Sequence, residues 1–405
     1  MGIAAVLLLR GLIAYAETDS GDTPNYALRG FGTLGGVYHN DDGVIYRRDI
    51  SQDGGAKANR ISLAQDSMFG AQLTLYPSEQ FELSAQAVSR LTTENNFEPV
   101  LTWGYLKFKP TEDSALRFGR LGVETYLQGD SAEIGYANLL IRQPVIFYPR
   151  TFDGMDAEIT QPLGSGTIRL KGMAGWTQGE LIGFGEPYDT GGSQLLGFGL
   201  EYALDGWTGR FSMGRLRLYD EVNELKPGSA TRAALDSLPN AESVIAATTM
   251  KNRQVDYHSL ALAYDSGPIQ AVASYSILSS PGWSDRHLFY ANMGYHLGKV
   301  TPYISYSSQR SSRDFVSSGI PDGIGYDALN RTVASAQAGT MINQTGMAIG
   351  ARYDFIDNMA LKLQVDHIRY RDPESLIDNA LSAEAAESRT WHSLTVFSLA
   401  LDFVF

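Results

Sequence analysis

Between Val123 and Phe152 the chain carries Glu124, Asp130, Glu133, Arg142 and Arg150 among Tyr126, Ile134, Tyr136, Leu139, Leu140, Ile141, Val145, Ile146, Phe147 and Tyr148. The chemistry open to such a set is electrostatic. Ionised groups demand water or ionic partners, and the apolar ones demand cover. The stretch also breaks a period-two pattern for about thirty residues, far beyond an ordinary connection. Two arrangements reconcile these demands. The stretch folds back into the lumen of a membrane β-barrel and narrows it, or it is a small helix-plus-loop packed in an ordinary core or over a subunit interface.

Other chemistry is weakly supported by the residues present. The six histidines, His39, His258, His287, His296, His367 and His392, have no close metal-ligand spacing, and cysteine is absent, so no metal site is expected. His258 and Ser259 near a strand end are the nearest approach to a nucleophile–base pair. Asp41 and Asp42 suit Ca²⁺ no better than any polar surface loop. Gly30-Phe31-Gly32-Thr33-Leu34-Gly35 matches GxGxxG, but neither the preceding strand nor the following helix of a dinucleotide site is indicated. Close packing, within the chain or between subunits, explains these glycines better. No cofactor is implied. A formal net charge of −13 argues against nucleic acid.

The elements around the charged stretch read as strands. Leu196, Phe198, Leu200 and Tyr202 alternate with Gly197, Gly199 and Glu201, and Leu361, Leu363 and Val365 alternate with Lys362, Gln364 and Asp366. The pattern predicts an all-β chain of sixteen antiparallel strands, joined alternately by seven short turns and eight longer loops. Asp205-Gly206, Gly298-Lys299 and Asp357-Asn358 are turn chemistry. Long loops are expected near 40–65, 123–152, 220–254, 311–343 and 372–390, with helical potential in Ala230–Ala247 and Glu374–Ser388. Aromatic residues flank both kinds of connection, as at the two boundaries of a bilayer. One strand face suits lipid and the other water, with Arg117, Arg169, Lys171, Arg210, Arg352 and Lys362 on the water-facing side by alternation, and no apolar run is long enough for a transmembrane helix. Residues 1–16 read as a secretory signal ending in Ala14-Tyr15-Ala16, ahead of a single barrel domain over 17–405.

The last strand, SLALDFVF, sends Leu399, Leu401, Phe403 and Phe405 outward and ends on Phe405. It resembles the terminal signature of Gram-negative outer-membrane β-barrels. With the strand count and the leader, the chain resembles the general porin superfamily of sixteen-stranded trimers. The resemblance implies a bacterial outer-membrane location, lipid and lipopolysaccharide around the barrel, reading of Phe405 by the barrel-assembly machinery, and a homotrimer. It implies that the loop after the fifth strand, Ser114–Gly122, enters the pore as a constriction. Its function would be passive diffusion of small hydrophilic solutes and ions, without enzymatic activity. The eyelet would set Glu124, Asp130 and Glu133 against Arg117, Arg169 and Lys171, with Arg142 on the loop itself. The alternatives are a sugar- or organic-acid-selective channel with Tyr126, Tyr136 and Tyr148 as a substrate track, or a barrel hydrolase or adhesin.

Overall fold

The computed structural model describes residues 25–144, 149–183, 186–281, 283–311, 316–321, 323, 327, 330, 333, 342–370 and 392–405. The proposed leader at 1–16, Tyr148 and the segment 372–390 lie outside them.

Sixteen strands close into one antiparallel barrel. They are β1 Tyr26–Tyr38, β2 Met68–Ser78, β3 Phe81–Arg90, β4 Val100–Thr111, β5 Ser114–Gly122, β6 Thr151–Leu163, β7 Gly166–Gln178, β10 Gln194–Leu204, β11 Trp207–Arg217, β12 Gln254–Ser266, β13 Ile269–Ser279, β14 Arg286–Tyr295, β15 Val300–Ser311, β16 Gln344–Ile356, β17 Met359–Tyr370 and β18 His392–Val404. A separate hairpin, β8 Glu180–Gly183 with β9 Glu186–Asp189, decorates one long loop and was not expected from the sequence. Short turns and long loops alternate as the pattern predicts. In the β10–β11 turn Asp205 and Gly206 take φ of +47° and +81°, the paired positive values of a tight hairpin.

Closure is made by β1 against β18, in register from Phe31 with Val404 to Tyr38 with Phe397. Glycine is required at this seam. A Cβ on Gly30 would lie 2.1 Å from the Phe405 ring, and one on Gly32 2.3 Å from the Phe403 ring. The Gly-rich run of β1 therefore seats the aromatic rings of the chain's own last strand. A subunit boundary is not needed to explain it.

The two strand faces have opposite character, inverted relative to a water-soluble sandwich. Outward positions such as Leu34, Leu196, Leu260, Met293, Ile349 and Leu363 are exposed and apolar. Inward positions include the buried Thr74, Gln86, Asp156, Lys171, Arg210, Asn292, Lys362 and Gln364. This is the polarity of a barrel that faces hydrocarbon outside and water inside.

The inward face is not polar throughout. Near the loop ends Leu121, Phe152, Met173, Leu195, Leu216, Val255, Leu278 and Leu288 turn inward and are buried. They pack against Val222, Leu225, Leu235, Leu238, Val244 and Met250 of the 218–253 loop, together with Trp283. That loop contains helices Ala230–Asp236 and Ala241–Thr248, where the sequence shows helical potential. Glu221 accepts hydrogen bonds from the Met250 and Lys251 amides. Arg253 donates to the carbonyls of Ala246 and Thr249 at the second helix's C-terminal end, where cations are favoured. A second apolar cluster joins Val44, Tyr46 and Ala56 of the 39–67 loop to Ile368, Tyr370, Leu394 and Val396 of β17 and β18. Both long loops are thus held down on the rim by ordinary hydrophobic burial.

Candidate functional site

The 123–150 segment leaves β5 and returns to β6, and ionic contacts hold it at its root. Glu124 is buried and meets Arg117 at 2.9 Å and Arg169 at 3.7 Å. It also pairs with Lys171, and its backbone carbonyl accepts from Arg210 Nη2 at 2.6 Å. Asp156 on β6 binds Arg117 through Nε at 2.9 Å and lies 3.3 Å from Lys171. Arg169 and Arg210 extend the network to Glu158 and Glu201. All four cations stand at alternating, inward positions of β5, β7 and β11. Sequence alternation placed them on that face correctly. The structure adds that Glu124 touches them directly.

Beyond the root, the segment is bound to strands on the other side of the barrel. In the closed order β17 stands eight places from β7. Lys362 on β17 donates to the carbonyls of Gly135 at 2.7 Å and Asn138 at 2.6 Å, and pairs with Asp402 on β18 at 2.8 Å. Thr33 Oγ1 on β1 donates to the same Asp402 at 2.6 Å. Arg352 on β16 donates to the Tyr136 carbonyl at 2.5 Å, lies over the Tyr136 ring, and is paired with Asp354. The Ile141 amide donates to Gln364 at 2.9 Å. Arg142 pairs with Asp66 and Asp366, donates to Ser398 at 2.6 Å, and stacks on Tyr46. Gly135 is pressed so closely that a Cβ would fall 2.3 Å from Asp402 Oδ1. Leu139 lies against the β14 backbone at Gly294.

Between root and tip lies a third group. Glu133 is 3.4 Å from Arg90 on β3 and 3.9 Å from Arg150. Arg150 donates to Asp49 of the 39–67 loop at 2.7 Å, and Arg90 to Ser51 at 2.8 Å. Arg48 completes the group beside Asp66 at 3.5 Å.

No family model matches the sequence, and no curated protein does. Solved structures do match the fold. An anion-selective porin from Comamonas acidovorans aligns with a TM-score of 0.53 at 9% identity, over 94% of this chain and 99% of that one. The outer membrane channel DcaP of Acinetobacter baumannii aligns with 0.53 at 11%, over 96% and 100%. The trimer form of OmpT, an outer membrane protein of Vibrio cholerae, aligns with 0.51 at 11%, over 94% and 100%. The chain has the outer-membrane porin fold. At these identities the likeness is one of architecture alone.

Within the porin fold, the residues singled out from the sequence fall into separate places. Glu124, Arg117, Arg169 and Lys171 come together at the root. Glu133 joins Arg90 and Arg150 instead, and Arg142 reaches the opposite wall. Asp130 is in a short turn, Gly129–Ser131. Tyr136 serves as a platform for Arg352, whereas Tyr126 lines the cavities beside Arg150, so the two rings occupy different surroundings. Arg352 and Lys362 were legible as inward by alternation. The roles of Asp49, Asp66, Asp366 and Asp402 were not. Asp66 and Asp402 are fully or nearly fully buried, and they meet Arg142 and Lys362 only in three dimensions, since these partners lie 76 and 40 residues away along the chain.

The Asp49 clamp has a definite pH signature. Burial alone would raise its pKa, but Arg150 and then Arg90 outweigh burial and hold the carboxyl well below the usual carboxylate range. A carboxylate depressed in the folded state stabilises fully above its unfolded pKa of about 3.9 and loses that contribution as pH falls through the lower folded value. The clamp is therefore expected to persist unchanged from neutral pH to about 4. The thermal midpoint of an Asp49→Asn variant should lie below that of the parent by the same margin across this range. A gap that closes already near pH 5 would show that Asp49 is not held by Arg150.

Proposed function

We propose that this chain is an integral outer-membrane channel for passive diffusion of small hydrophilic solutes and ions, that the 123–150 segment is its constriction, and that it works as a homotrimer. The single observation that supports this most is the bridging of the segment from Lys171 and Arg210 on one wall to Lys362 and Arg352 on the other. A segment tethered at both walls narrows the passage whatever solute crosses. The outward apolar face supports a bilayer location, and the trimer form of the OmpT neighbour supports the assembly.

The charges along the segment support sieving by size over strong ion preference. The paired groups named above comprise ten cationic and ten carboxylate side chains. Contacts at this range cancel much of one another's field. In planar bilayers, purified protein should open in steps of three with conductance near linear in salt, and a KCl gradient should give a small reversal potential. Folded protein without conductance would sink the channel reading. A strong cation or anion preference would overturn the charge argument alone.

A further inference from the structure

On the loop side of the Glu133 group lies a cavity of about 330 Å³. We infer that this cavity binds a neutral, polyhydroxylated solute of sugar size before it meets the constriction. Its use as a loading site rests on the channel reading; the binding itself does not.

The volume falls within the roughly 300–1,000 Å³ typical of small-molecule sites. Thr92, Thr93, Asn96, Thr151, Gln178 and Thr190 bring hydroxyl and amide groups to its wall, drawn from two loops and two strand ends. Leu91, Pro149 and Leu181 supply apolar surface for the C–H face of a ring. At its floor Glu133 faces two guanidiniums at 3.4 and 3.9 Å, with the nearer and farther nitrogens both addressed to Oε1. That oxygen is buried and accepts no hydrogen bond among the described residues. Its guanidinium partners stand at ion-pair and not hydrogen-bond distance, and a ligand hydroxyl donating to this carboxylate adds a hydrogen bond without adding charge.

The lining carries charge of both signs, so a charged ligand of either sign meets like charge somewhere in the cavity. An anion would meet Glu94, Glu98 and Glu180 at the wall, along with Glu133. A cation would meet Arg90 and Arg150 beside Glu133. The position is also suitable for delivery. Glu133, Pro149, Arg150 and Thr151 line this cavity and, on their other side, the next one, which runs beneath Tyr126 and Gly129.

Calorimetric titration of the detergent-solubilised full chain tests this, with sucrose, maltose and lactose as neutral probes and gluconate and glucosamine as charged ones. At least one neutral disaccharide should saturate, and both charged sugars should bind more weakly. Glu133→Gln removes the charge of the acceptor, and Thr92→Trp fills the cavity from its rim. Each should weaken the neutral sugar by about tenfold or more, or abolish its binding. Heat-dependent gel mobility reports that each variant is folded, and the rim variant carries the test if the Glu133 variant is not. Three results would overturn the site: no saturation by any neutral sugar, tighter binding of either charged one, or affinity unchanged in the folded variants. Bilayer conductance is recorded on the same preparations. Sugar binding without conductance would remove the channel reading and leave the site, while conductance without sugar binding would do the reverse.

Discussion

Excision of Gly129–Ile141 should raise single-channel conductance several-fold while the barrel stays closed. The reason lies in what holds each part. The barrel is maintained by sixteen continuous ladders, including the β1–β18 seam, and none of these uses a residue of the segment. The segment is held by side chains that retain other partners once it is gone. Lys362 keeps Asp402, Arg352 keeps Asp354, and Arg117 and Lys171 keep Asp156. Removing the peptide therefore leaves paired, hydratable groups on the wall, with water in place of the Gly135 and Asn138 carbonyls. Conductance in planar bilayers and heat-dependent gel mobility report the two halves of the expectation. Unchanged conductance from a folded deletion variant would place the segment outside the solute path.

Lys362→Met should be the most damaging single substitution at the site. The Lys362 side chain is fully buried, and its three ammonium donors match three oxygens, those of Asp402, Gly135 and Asn138. Removing one partner of a buried pair costs about 3–5 kcal/mol because the other charge stays behind. Among the described residues, Asp402 would then retain only the Thr33 hydroxyl. The segment would also lose two of its tethers on that wall, so current noise should rise along with the loss of stability. The double variant Lys362→Met with Asp402→Leu should recover most of the stability, since a matched apolar pair leaves no charge uncompensated, yet it should remain noisy. Denaturant midpoints in lipid vesicles and open-channel noise separate the two effects. A single-variant cost below about 1 kcal/mol would mean that the pair is as well solvated as a surface salt bridge.

Much of this was legible along the chain. Period-two alternation assigned Arg117, Arg169, Lys171, Arg210, Arg352 and Lys362 to one face, and all six are inward. Strand β5 was expected at Ser114–Gly122 and has those bounds. Other features left no local trace. The β8–β9 hairpin is four residues a side and too short for periodicity to register. The inward, buried Leu121, Phe152 and Leu216 pack in one cluster with the helical loop, a contact that strand alternation does not encode.

What the sequence determined by itself is the architecture, because a strand's side chains alternate whatever surrounds them and turn residues declare positive φ locally. It also marked 123–152 as a segment that must be both buried and charged. Which charges meet was decided only by the closed barrel. Closure brings β17 and β18 beside β1 and sets them across from β7. Contacts between residues separated by hundreds of positions, such as Arg142 with Asp366 and Lys362 with the Gly135 carbonyl, then come within hydrogen-bonding reach. Pairing of that kind depends on distance in space, and linear spacing carries no record of it.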